Sequence, residues 1–199
     1  MLFGEIKKRL SSFRVGIAGA GGLGSNCAQA LVRSGVGTLV IADFDIVEER
    51  NLNRQFFFLD QTGMKKVDAL KVNLDRIGSG SVIIVHDVTL TREIIPGIFA
   101  GCDVIVEAFD RSDMKLLLIE TVTREMPGIP VVAASGLAGW GGNETITSRK
   151  IDKTLYVVGD ESNEVSDELP PLAPRVGIVA CMEANLVLEI LLNSKNGQG

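Results

Sequence analysis

The sequence predicts a three-layer α/β fold: a mostly parallel sheet with helices on both faces, and antiparallel strands added after about residue 140. Three observations carry this. Apolar runs of strand length alternate with segments of helical spacing from residue 13 to residue 134, and such alternation sets each strand parallel to the last through a crossover helix. The first of these units holds the glycine string Gly19-Ala20-Gly21-Gly22-Leu23-Gly24 between strand and helix, and closes on Asp43. At 199 residues, 46% hydrophobic and 23% charged, the chain has the size and composition of one globular domain, read here over residues 1–199.

Residues 2–12 place Leu2, Phe3, Ile6 and Leu10 on one side and Lys7, Lys8 and Arg9 on the other, as in a short amphipathic helix lying against the domain or a partner subunit. An apolar strand over 13–18, the glycine string, a helix over 25–34 and a strand over 38–43 make one βαβ unit, Rossmann-like in plan. Residues 44–55 are polar and 56–59 aromatic, without a clean period. Following a strand's carboxyl end, they lie where open α/β sheets bind ligands. A helix over 63–77, with Val67, Leu70, Leu74 and Ile77 on one stripe, leads to a strand over 82–86. A short helix over 91–99, a strand over 103–107, a helix over 113–125 and a strand over 130–134 complete the second half.

Beyond Ser135 the pattern changes. Glycines surround Trp140, residues 143–150 alternate like an exposed strand, and 155–158 read as another, both expected as antiparallel additions at the sheet edge. Residues 159–174 are acidic and end in Pro170-Pro171-Leu172-Ala173-Pro174, which predicts a mobile crossover loop. The last helix, over 176–192, is apolar on most faces and belongs against the sheet or in a dimer interface.

The formal net charge of −5 provides no basic field for nucleic acid or an anionic membrane. The start of the chain lacks the apolar core of a signal peptide, and no run is expected to reach membrane-spanning length, so a cytoplasmic location is expected. Cys27, Cys102 and Cys181 form no CxxC pair and read as small buried hydrophobes rather than metal ligands or disulfides. The single histidine, His86, has no acid or nucleophile beside it in sequence.

The glycine string has a physical task. A turn that approaches phosphate closely needs positive φ and no Cβ, and the helix that opens there offers free N–H groups to an anion. Gly19, Gly21, Gly22 and Gly24 are therefore candidate nucleotide contacts, and Asp43 stands at the spacing of an acid on a ribose hydroxyl. Strand carboxyl ends also present Asp45, Asn51, Asn53, Arg54, Gln55, Asp110 and Arg111, with Lys66 opening the next helix. Carboxylates, an arginine and a lysine beside a phosphate turn suit ATP chemistry better than hydride transfer, which asks for an apolar slot and a general acid. A nicotinamide-dependent oxidoreductase on the same unit is the first rival reading, and a non-catalytic binding module that keeps the fold is the second.

The glycine string, Asp43-Phe44-Asp45, Asn51-Leu52-Asn53-Arg54-Gln55, Gly63-Met64-Lys65-Lys66-Val67 and Asp110 after an apolar strand occur in the order found in the ThiF/MoeB/HesA family of ubiquitin-activating-enzyme-like adenylyltransferases, which this chain resembles. The resemblance spans residues 13–135, with the closing helix similar as well, and the chain is most like a short member. It implies ATP on the Gly22 turn with its ribose on Asp43, phosphates met by Asn51, Arg54 and Lys66, and Mg2+ positioned by Asp110. Arg54, Lys66 and Asp110 are then the catalytic set. It also implies a homodimer that adenylates the C-terminal glycine of a small ubiquitin-fold sulfur carrier, here the ThiS-like carrier of thiamine synthesis. The family's CxxC pairs are absent, so no zinc is expected, and its N-terminal arginine arm has no match in residues 1–12. Arg111 stands where the family carries asparagine, a charge able to replace that arm's.

Overall fold

The computed structural model describes residues 2–163 and 165–194. The β-branched runs form strands β1 (Arg14–Ala18), β2 (Thr38–Asp43), β3 (Val82–Asp87), β4 (Val104–Glu107), β5 (Val131–Ala134), β6 (Thr147–Lys150) and β7 (Leu155–Gly159). They make one seven-stranded sheet of order β3-β2-β1-β4-β5-β7-β6. Every pairing from β3 to β7 is parallel, and only β6 runs antiparallel, beside β7. The expectation that both late strands would be antiparallel is corrected here. Residues 135–146 carry the chain past the position beside β5 to the sheet edge, where β6 runs antiparallel, and the turn between β6 and β7 then reverses the chain so that β7 enters alongside β5 in parallel. The strand order reverses between β1 and β4, and at such a switch point a crevice opens at the strands' carboxyl ends.

Helices α1 (Phe3–Leu10), α2 (Gly22–Ser34), α3 (Lys66–Asp75), α4 (Ile95–Ile98), α5 (Ser112–Glu125) and α6 (Ala173–Asn193) cover both faces. The larger core lies under α1, α2, α3 and α6 and joins Leu10, Leu23, Leu31, Leu70 and Val187 to Val15, Ile17, Leu39 and Ile41. The smaller core joins Phe99 after α4 and Leu118 and Val122 of α5 to Val40 and Ile105 on the opposite face. Strands buried on both sides need apolar residues at successive positions, which is why the central runs do not alternate.

Helix α2 starts inside the glycine string, with Gly21 as its N-cap, three residues before its helical spacing becomes visible in the sequence. Tertiary approach overrides glycine's poor propensity there: a Cβ on Gly24 would collide with the carbonyl oxygen of Gly19. Helix α6 likewise begins earlier than expected, taking Pro174 into its first turn, where a missing N–H costs nothing. It runs 21 residues with a mean hydropathy of 1.7 over its most apolar window, so one helix does have the length and composition to cross a membrane, contrary to expectation. In this fold Val176, Val179, Ala180, Ala184, Val187 and Leu191 are buried, together with the polar Arg175 and Glu183, which marks it as a core helix. The loop before it, expected to be mobile, is tethered. The buried Asp160 carboxylate takes Arg175 and the backbone N–H groups of Ser162 and Asn163, and Gly139 bridges Pro171. Glu164 of that loop falls outside the described residues. Cys27 and Cys102 are buried as expected, whereas Cys181 is exposed on α6.

Candidate functional site

The β1–β2 connection builds the floor of the crevice. Gly19 takes φ 101 and its N–H bonds to Ala42 O at 2.9 Å, turning the chain sharply off the end of β1. A Cβ there would lie 2.8 Å from Ala108 O, so only glycine lets the β1 and β4 ends touch. Gly21 then caps α2 with no side chain, and the first-turn N–H groups have no helical acceptor. Asp43 closes the unit from β2: its Oδ2 accepts Ala20 N at 2.7 Å and its Oδ1 accepts Asp45 N at 2.7 Å. Burial pushes the Asp43 carboxyl above the usual carboxylate range, against the two backbone donors and Lys66, which pull it down.

Over this floor lies the segment from Glu48 to Gln55. Asn51 is buried and its Oδ1 accepts Glu48 N at 3.0 Å, so its carbonyl holds the turn while its amide N–H groups remain. Asn53 is exposed and accepts Arg54 Nη1 at 2.9 Å, steadying the guanidinium. The Arg54 stem crosses the glycine string, since a Cβ on Gly22 would meet Arg54 Cγ at 3.6 Å. Burial draws the Arg54 guanidinium below its ordinary value, opposed by Asp110, whose charge reaches it from across the crevice. Gln55 is buried beside Gly21, and its Oε1 has no hydrogen-bond partner among the described residues. An orphaned buried oxygen beside a glycine turn fits a ligand that brings a donor.

Two side chains that the sequence reading passed over hold this segment in place. Asn26 Nδ2 donates to Gly22 O at 2.7 Å and to Arg54 O at 2.9 Å, while Ser25 Oγ donates to Gly21 O at 2.6 Å and accepts Phe56 N at 3.0 Å. The signal for them was two hydrogen-bonding residues together, directly after the last glycine and in the first turns of the helix.

Lys66 opens α3 with only 8% of its side chain exposed, and its Nζ bonds Asp45 Oδ2 at 2.7 Å. An almost buried ammonium with a half-exposed carboxylate as partner is a cation held ready at the rim. On the far wall Asp110 is exposed after β4, and among the described residues no hydrogen bond reaches its carboxylate. Arg111 turns outward to Asp113, with bonds of 3.1 and 2.6 Å, and this pair raises the guanidinium's pKa. The structure thus gathers the glycines, Asp43, Asp45, Arg54, Gln55, Lys66 and Asp110 around one crevice, and gives Asn51, Asn53 and Arg111 partners of their own. A magnesium nucleotide suits this donor set: a free carboxylate for the cation, two cations and open amides for phosphate. Among the described residues no group of three or more His, Cys, Asp and Glu is placed to hold a metal by itself.

The chain is 31% identical to the adenylyltransferase and sulfurtransferase MOCS3 of Caenorhabditis briggsae over 92% of its own length and 47% of that protein's. It is 32% identical to the tRNA threonylcarbamoyladenosine dehydratase of Bacillus subtilis over 80% of its own length and 59% of that protein's. It therefore spans about half the length of the curated relatives it matches. Among solved structures, the E. coli tRNA N6-threonylcarbamoyladenosine dehydratase TcdA in complex with ATP superposes with a TM-score of 0.87 at 20% identity, over 98% of this chain and 92% of that one, a likeness of fold. With the model of the ThiF family matching residues 2–198, the chain belongs to the ThiF family.

Proposed function

We propose that this chain is an ATP-dependent adenylyltransferase that activates the C-terminal glycine carboxylate of a small ubiquitin-fold sulfur carrier, the ThiS-like carrier of thiamine synthesis, and that it works as a homodimer. The observation that carries the reading is the crevice itself, where Arg54, Lys66 and Asp110 face an open glycine turn. A carboxylate oxygen of the carrier attacks the α-phosphorus, its bond to that phosphorus forms as the bond to the bridging oxygen of the β-phosphate breaks, and pyrophosphate leaves with the electron pair. Anions meet in that step, so cations must lower the barrier and no protein nucleophile is called for. Lys66 exchanges Asp45 for phosphate oxygens, Arg54 lies over the turn where the phosphates sit, and Asp43 and Gln55 hold the nucleoside end. Asp110 would hold Mg2+, which would supply further charge neutralisation when bound.

The MOCS3 relative, named for adenylyl and sulfur transfer, supports the reaction class. The threonylcarbamoyladenosine dehydratase relative favours a second reading, in which the activated carboxylate belongs to a modified tRNA nucleoside. The net charge of −5 weighs against that one, because tRNA binding draws on phosphate neutralisation. ATP–pyrophosphate exchange separates them. Exchange that depends on a ThiS-like carrier with its terminal glycine intact, and disappears when that residue is removed, is expected. Exchange with threonylcarbamoyl-bearing tRNA alone would replace the first reading by the second.

A further inference from the structure

We infer that Glu107 and Lys115 are a positioning pair that sets the Asp110 turn against the nucleotide turn; the inference rests on the reading of Asp110 given above. Glu107 is the last residue of β4 and pairs in register with Ala18 of β1, so it stands at the point where the strand order reverses. Its side chain is 0% exposed. A carboxylate is costly to bury unless its lone pairs are met. Here three donors meet them: Lys115 Nζ at 3.0 Å from Oε1 and 2.9 Å from Oε2, and Phe109 N at 2.7 Å from Oε1.

The Phe109 amide is the link to function, since it lies one residue before Asp110 and fixes how the chain leaves β4. Lys115 gives its third N–H to Ala134 O at 3.1 Å, at the end of β5. One ion pair therefore ties the end of β4, the turn bearing Asp110, the first turn of α5 and the end of β5. That assembly leans on the nucleotide turn through Ala108 O, which leaves no room for a Cβ at Gly19. Glu183 of α6 lies near enough for Glu107 to act on its charge, but among the described residues neither of its oxygens has a hydrogen-bond partner, and Lys115 bonds Glu107 alone of the two. A shift of the pair moves the Asp110 carboxylate relative to the phosphates, and outer partners of a metal ligand act in this way.

The test replaces the pair by apolar residues, Glu107→Leu with Lys115→Met, so that neither member is left behind as the other's unpaired buried charge. The magnesium concentration at the midpoint of the ATP-induced thermal shift is measured in this variant, in Asp110→Ala and in the combination. The expected result is an unliganded melting temperature near wild type and a magnesium midpoint raised about tenfold, with no further rise when the pair is replaced in the Asp110→Ala background. If the double variant does not fold, Lys115→Arg carries the test, because it keeps the charge and alters the geometry; it is expected to raise the midpoint at unchanged stability. An unchanged midpoint, or a second and independent rise on top of Asp110→Ala, overturns the positioning role. If Asp110→Ala itself leaves the midpoint where it was, the reading of Asp110 falls, and the positioning role with it.

Discussion

At the β1–β4 crevice the ionic groups keep spare bonding capacity, whereas at the β5–β7 edge they satisfy one another. Arg175 and Asp160 are both buried: the carboxylate takes the guanidinium and three N–H groups from Ser162 and Asn163, and Arg175 also donates to Gly141 O, while its Nε has no partner among the described residues. Across the sheet, Asp110 accepts no hydrogen bond among the described residues, Gln55 Oε1 is orphaned, and Lys66 is tied only to a half-exposed aspartate. Both regions stand at strand carboxyl ends and both touch α6, whose Val176 reaches the glycine turn. The crevice groups thus lie open at a strand-end surface, with bonds left to make, whereas the Arg175–Asp160 cluster is spent on fastening a loop.

The comparison breaks most visibly through stability. Arg175→Met leaves Asp160 buried without its cation and is expected to cost about 3 kcal/mol or more of folding free energy in urea denaturation. Burial alone would raise the Asp160 carboxyl, but the Asn163 and Ser162 donors and Arg175 prevail and hold it at about 2, against an ordinary 3.8. A depressed carboxyl contributes stability that is present above the unfolded value and lost as pH falls through the folded one, so the wild type should lose this contribution between those two values. Asp160→Asn should remove that acid dependence.

At the crevice the expected pattern is reversed: large effects on chemistry, small ones on folding. Ala in place of Arg54, Lys66 or Asp110 should lower carrier-dependent ATP–pyrophosphate exchange by about a hundredfold or more, with the urea midpoint close to wild type. Three solvated surface charges would instead give near-normal exchange. Asp43→Ala should weaken ATP binding in calorimetry by about 1.5–3 kcal/mol, the scale of a charge-assisted hydrogen bond.

The smallest expected effect lies between the two regions, at Glu183. Burial first, and Glu107 second, push its carboxyl well above the ordinary 4.5. An acid raised on folding lends stability that is complete below its unfolded pKa and is lost as pH rises through its folded one. Glu183→Gln should therefore flatten the fall of the urea midpoint above pH 4.5, and an identical slope in wild type and variant would refute the assignment.

The sequence displayed the crevice more fully than the edge. Glycine positions, Asp43 at a strand end, Arg54 and Gln55 in one polar stretch and Lys66 at the start of the next helix follow local rules, so their convergence is readable from spacing. Ser25 and Asn26 were missed because their partners, Phe56 N and Arg54 O, are about 30 residues away and visible only in the fold. The direction of β7 was missed for a related reason: an alternating run carries no mark of which neighbour it will join. Arg175 and Asp160 were not singled out, since they lie beside and within the acidic stretch read as a mobile loop, and nothing local shows that α6 starts early enough to bury both side chains.

The central claim, that this crevice joins AMP to a carboxylate, is tested most directly by mass spectrometry of a ThiS-like carrier after incubation with the protein, ATP and Mg2+. The account predicts that the intact carrier gains the mass of AMP at its terminal glycine with wild type, and shows no adduct with Arg54→Ala or with a carrier lacking that glycine. An adduct formed equally by Arg54→Ala, or no adduct on any glycine-tailed carrier from a wild-type protein that binds ATP, would contradict it.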